Sequence, residues 1–160
     1  GDIPHSADIL RSFLSEKEAG TLVIICGKRR DLYERLCRKY REDSHTVILE
    51  STPRMAEYMR ACDIFLTKPG GLSSTEAAVS GVPLILLSPI PGCETHNAAY
   101  FSSHKMALTA ERTGTDLLPA LITLETVRGL REEMLQAQQT YINRNSTRDL
   151  CDFAENLGRA

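Results

Sequence analysis

The residues best equipped for chemistry run from 67 to 76, Thr67-Lys68-Pro69-Gly70-Gly71-Leu72-Ser73-Ser74-Thr75-Glu76. A glycine pair separates a short apolar run, Asp63-Ile64-Phe65-Leu66, from Glu76-Ala77-Ala78-Val79, which reads as helix. A strand that turns through glycine into a helix start offers unpaired N–H groups and the positive end of the helix dipole, which together hold an anion such as phosphate. Glycine at 70 and 71 also permits positive φ angles and lets a ligand approach the backbone closely. A second reading stays open, in which Pro69-Gly70-Gly71 is only a tight turn and Ser73-x-x-Glu76 a capping box satisfying the helix's own N–H groups.

The next apolar run, residues 83–87, leaves through Ser88-Pro89-Ile90-Pro91-Gly92-Cys93-Glu94-Thr95-His96-Asn97 into another helix. In an open α/β sheet, ligands sit outside the carboxyl ends of parallel strands, so successive loops of this kind face one site. Glu94, Thr95, His96 and Asn97 supply the donors and acceptors that grip a polyhydroxylated ligand. Phosphate beside hydroxyls points to a nucleotide sugar. Two neighbours carry alternatives: Lys68 neutralises phosphate or is merely solvated, and His96 carries protons or is an ordinary helix-start histidine. The pair Arg29 and Arg30, after Gly27, favours an anion or simply begins a solvated helix.

The elements that must position these residues alternate. Helices are expected at 4–18 (ended by Gly20), 31–41, 54–61 and 94–104, and strands at 21–26, 46–49, 63–67, 83–87 and 106–109. Residues 115–157 read as helix in two or three pieces. The pattern is α/β with a mostly parallel sheet.

At these blocks the chain resembles the glycosyltransferases built from two Rossmann-like domains, the GT-B type. That family includes the monogalactosyldiacylglycerol synthases, the bacterial diacylglycerol glucosyltransferases and, more distantly, the MurG-type N-acetylglucosaminyltransferases. The resemblance is to the C-terminal, donor-binding half. It rests on residues 61–72, on Glu76-Ala77 with Gly81-Val82-Pro83, and on Pro89-Ile90-Pro91-Gly92-Cys93-Glu94 with Asn97; Val23-Ile24-Ile25-Cys26-Gly27 is a weaker echo. It implies a Rossmann-like three-layer α/β/α domain covering residues 1–160, with 115–157 as its helical C-terminal segment. It also implies that Gly70, Gly71, Leu72 and Ser73 hold the diphosphate of a UDP-sugar and that Glu76 holds the ribose diol, a pairing one carboxylate makes well. Cys93, Glu94 and Asn97 would lie on the sugar side and Ser51 and Thr52 near the uracil, with Gly27, Lys68 and His96 as secondary candidates. Cys93 departs from the family, whose lipid-glycosylating members usually carry glutamine there; a donor-hydroxyl contact is lost, the sugar preference is altered, or the thiol is a small buried apolar group.

The activity implied is transfer of a hexosyl group from a UDP-sugar to a lipid, of diacylglycerol type. No catalytic residue is expected within the chain, because the resembling enzymes keep the acceptor site, the membrane-docking surface and the catalytic base in their N-terminal domain; alone, this chain should bind donor without transferring sugar. No cofactor or metal is expected, the UDP-sugar being a substrate. Two alternatives are a non-catalytic nucleotide-sugar-binding subunit with a separate N-terminal partner and a domain like those of UDP-sugar 2-epimerases. A Rossmann-like half ordinarily opens with a strand, whereas Gly1-Asp2-Ile3-Pro4 leads almost at once into helix, so the first strand is expected to be truncated. The expected outcome is direct closure between the strands at 21–26 and 63–67, or pairing with another copy into a homo-oligomer through an open sheet edge.

Whole-chain properties narrow the field further. With 160 residues and 42% hydrophobic content the chain is the size of one domain. Nineteen basic and 21 acidic residues, a formal charge of −2, leave no basic footprint for nucleic acid. Five scattered cysteines form neither a disulfide framework nor a zinc pattern, and His5, His45 and His104 lack metal-ligand spacing and are expected at the surface. No run reaches the ~18 apolar residues of a membrane span. A cytoplasmic location is expected, with the full-length enzyme peripheral at the membrane through its other domain.

Overall fold

The computed structural model describes residues 3–18 and 20–157. Gly1 and Asp2, where the truncated strand would end, lie outside the described residues. The order is α1 (Ile3–Glu16), β1 (Leu22–Ile25), α2 (Arg30–Lys39), β2 (Thr46–Leu49), α3 (Met55–Ala61), β3 (Phe65–Thr67), α4 (Gly71–Ser80), β4 (Leu84–Leu87), α5 (Cys93–Ser103) and β5 (Leu108–Ala110). Three helices follow, α6 (Thr113–Thr126), α7 (Leu130–Tyr141) and α8 (Ser146–Leu157). Every strand pairing is parallel, as helical crossovers require.

The strands form two ladders, β1 with β2 and β3-β4-β5. Direct closure of the first onto the second, one of the two outcomes expected from sequence, does not occur: β1 and β3 share no hydrogen-bonded ladder. Leu22 and Cys26 donate their N–H groups to His45 and Leu49 of the β2 side, both at 2.9 Å, so the N–H groups of Val23 and Ile25, one residue out of phase, point away from β2, the strand paired with β1 among the described residues. Side-chain packing joins the halves instead. Helix α1 lies against β1 and α6, and its Leu10 and Leu14 touch both apolar cores.

The larger core gathers around β4, whose Leu84, Ile85 and Leu86 are fully buried. Helix α4 contacts β4 and also α3 and α7. Its inward residues are small, Ser74, Ala77 and Ala78, all with 0% exposure. Gly81 ends it in the left-handed conformation (φ 71°), where its N–H reaches the carbonyls of Ala77 and Ala78 at 3.1 Å, and Pro83 prevents continuation. From α7, the buried Gln138 donates to the carbonyls of Val82 and Met106 at 3.0 and 2.9 Å, bracing the entries to β4 and β5.

Candidate functional site

Strands β3 and β4 run side by side in register, Phe65 opposite Leu84 and Thr67 opposite Leu86. Their carboxyl ends therefore lie together, and the loops leaving them meet. The amide of Asn97 donates to the Pro69 carbonyl at 2.9 Å, and the Lys68 ammonium lies 3.8 Å from the Glu94 carboxylate. The convergence expected from an open parallel sheet is present in these cross-loop contacts.

The first loop is short. Residues 68–70 connect β3 directly to α4, with the Gly70 N–H folded back onto the Lys68 carbonyl at 2.7 Å. Gly70 is the N-cap, and no side chain caps the helix. Its first backbone bond runs from Ser74 N–H to the Gly70 carbonyl at 3.1 Å, so the N–H groups of Gly71, Leu72 and Ser73 have no acceptor among the described residues. The capping box is thereby excluded: Ser73 falls at the third helical position, and a capping box needs its hydroxyl at the N-cap. Ser74 is the buried hydroxyl instead, hydrogen-bonded back to the Gly70 carbonyl.

Two further expectations need correction here. Neither glycine uses positive φ; Gly70 has φ −73° and ψ 139°, open to any residue, and Gly71 begins the helix. What Gly70 contributes is room, since an added Cβ would meet no atom within 4 Å. The Gly70 N–H, engaged by Lys68, is also not among the free donors.

The second loop is bent by Gly92, whose φ of 112° and ψ of −130° suit glycine alone. Gly92 counts among the residues that carry the resemblance, with no conformational role read for it from sequence, although a Pro-Gly pair signals a turn. Glu94 turns back to accept the Ile90 N–H at 2.7 Å, and His96 Nδ1 lies 3.0 Å from the Gly92 carbonyl. Cys93 is exposed at the start of α5, which overturns the reading of it as a buried apolar group. His104, expected at the surface, is half-buried between the rings of Tyr100 and Tyr141 at 4.4 and 4.3 Å.

Farther along α4, from Thr75 to Ser80, a groove of about 280 Å³ lies between α3 and α4, lined by Met55, Ala56, Met59, Glu76 and Val79 among others. The exposed Glu76 is three residues beyond Ser73, on the same face of α4 about one turn along. Ser51 and Thr52 lie in the link from β2 to α3, where the Thr52 hydroxyl accepts the Arg54 N–H at 3.0 Å. Gly27 sits in the turn after β1 with φ 68°, in the other ladder, and no hydrogen bond ties it to residues 68–70. Arg29 and Arg30 are committed to carboxylates, Arg29 to Asp31 and Arg30 to Glu34. Among the described residues no cluster of three or more His, Cys, Asp or Glu could hold a metal ion.

Residues 9–152 match the glycosyltransferase family 28 C-terminal domain. A processive diacylglycerol beta-glucosyltransferase of Staphylococcus epidermidis is 30% identical over 148 residues, which is 91% of this chain and 38% of that protein. Among solved structures, MurG of Acinetobacter baumannii superposes with a TM-score of 0.70 at 21% identity, over 97% of this chain and 45% of that one. A putative UDP-N-acetylglucosamine 2-epimerase of Listeria monocytogenes superposes at 0.74 with 15% identity, over 99% and 42%. The two structures establish a shared Rossmann-like architecture, and the family match covers most of the sequence. The chain belongs to the glycosyltransferase family 28 C-terminal domains.

Proposed function

We propose that the chain is the donor-binding domain of a glycosyltransferase that moves a hexosyl group from a UDP-sugar to a lipid of diacylglycerol type. One observation carries the reading: three unpaired amides, at Gly71, Leu72 and Ser73, lie beside the open face of Gly70 and next to a loop rich in polar side chains. In this reading the diphosphate sits on those amides and the nucleoside extends along the groove between α3 and α4. There Glu76 accepts both ribose hydroxyls, with the backbone of Ser51 and Thr52 toward the base. The sugar points to the second loop, where Glu94 and His96 approach it.

Chemically, the amides act on the leaving group. As the glycosidic bond to the diphosphate breaks, negative charge grows on its oxygens, and fixed N–H dipoles at a helix start stabilise that charge without reorganising. This chemistry needs no metal. The lipid acceptor is supported by the name of the staphylococcal relative, of which this chain spans 38%. Deprotonation of the acceptor and docking to the membrane then fall to the remaining polypeptide of the full-length enzyme, so this chain alone binds donor and transfers no sugar. Among the described residues no helix is long and apolar enough to cross a membrane.

Calorimetric titration with UDP, UDP-glucose and UDP-galactose tests the assignment. Replacing Glu76 by Ala removes charge-assisted bonds worth about 1.5–3 kcal/mol, so affinity for all three ligands should fall by roughly ten- to hundredfold. Equal affinity in the variant removes Glu76 from the ribose site, and absence of UDP binding in the native chain removes the reading itself.

A further inference from the structure

The Asn97 side chain is already occupied. Its Nδ2 donates to the Pro69 carbonyl at 2.9 Å and lies 3.8 Å from where a Cβ on Gly71 would stand. Pro69 is buried, has no N–H of its own, and sits in the three-residue link that carries α4's free amides. Among the described residues, the remaining hydrogen bonds of that link stay within it or run to α4. The other crossing contact, between Lys68 and Glu94 at 3.8 Å, is partly exposed and of little mechanical worth.

We infer that Asn97 is a positioning residue: it holds the first loop from outside, through Pro69, and so fixes the direction in which the Gly71, Leu72 and Ser73 amides point. The inference rests on the reading of those amides as the diphosphate site. Without the donor, the Pro69 carbonyl becomes a buried unpaired acceptor, and the loop satisfies it by swinging toward water, which turns the amides off their common target. The Asn97 side chain meets Pro69 through its Nδ2 alone, and among the described residues its carbonyl oxygen accepts no hydrogen bond.

Asn97→Ala and the near-isosteric Asn97→Asp are compared with the native chain on three ligands, uridine, UDP and UDP-glucose, and by amide exchange at Gly70 and Ser74, whose N–H groups bond within the loop. Loss of one such bond corresponds to about a two- to tenfold weakening. The expected result is that UDP and UDP-glucose weaken together by that factor, uridine is unchanged, and both amides exchange faster. Weakening confined to UDP-glucose makes Asn97 a direct sugar contact and overturns the inference. An equal fall for all three ligands makes the effect general and overturns it too. Should the native chain bind no UDP, the reading of the site fails, while unchanged exchange at Gly70 and Ser74 would separately dismiss the strut.

Discussion

Gly70 and Gly92 owe their identity to different physics, and substitution separates the two. Gly70 has ordinary backbone angles and empty space where a Cβ would go, so Gly70→Ala should leave the melting temperature unchanged. The same methyl intrudes beside the free amides, and UDP affinity should drop by about 1–3 kcal/mol, the range for overpacking a fitted site. Gly92→Ala reverses the pattern. Its φ of 112° strains any L-residue, at a cost of about 1–3 kcal/mol, and the melting temperature should fall by several degrees. The residue types at both positions were plain in the sequence. Which glycine serves access and which serves conformation was not, because φ is a property of the closed loop. Asn97 illustrates the same limit: its type was read as a ligand group, while its bond to Pro69 depends on two loops 28 residues apart in the chain.

Elements were more legible than their ends. The strand expected at 46–49 matches β2, and the apolar run at 83–87 contains β4, since continuous branched residues between turn signals leave little choice. Two of the shifted ends lie where a non-glycine residue takes positive φ. Glu18 (φ 51°) lies past the end of α1 at Glu16, short of the expected residue 18, and Lys105 (φ 58°) wraps α5 so that Met106 N–H bonds to Phe101 and β5 begins at Leu108 rather than 106. The C-terminal helix was foreseen, but its isolation was not. Helix α8 buries none of its residues, and Leu150, Phe153 and Leu157 form a stripe more than 60% exposed. Residues 145–157 are all exposed, so ending the chain at residue 144 should move the melting temperature by less than about 2 °C, while binding of an apolar dye should decrease.

For the molecule as a whole, α1 is the clasp between two ladders, and carboxylates fasten it. Asp8 accepts from Lys39 at 2.6 Å and from the Tyr40 hydroxyl at 2.7 Å, Arg11 pairs with Asp43 at 3.3 Å, and Lys17, just past the helix, bonds Glu125 of α6. Hydrogen bonds from Lys39 and Tyr40 hold the Asp8 carboxyl below its ordinary value; those from Thr46 and the His45 N–H do so for Asp43, and that from Lys17 for Glu125. A carboxylate depressed in the folded state stabilises it fully above its unfolded value, 3.8 for Asp and 4.5 for Glu, and loses that contribution as pH falls through the lower folded value. Urea midpoints should therefore decline below about pH 4.5. The decline should be shallower in a variant with Asp8→Asn, Asp43→Asn and Glu125→Gln; an unchanged slope would remove these three contacts from the acid limb. The main core has a consequence of another kind. Because α4 rests on the sheet through three side chains no larger than serine or alanine, atoms that never meet solvent determine where its axis points. A bulkier residue at Ala77 or Ala78 would tilt that axis like a gun carriage on a raised wheel, and anion capture would suffer from a change that touches no ligand.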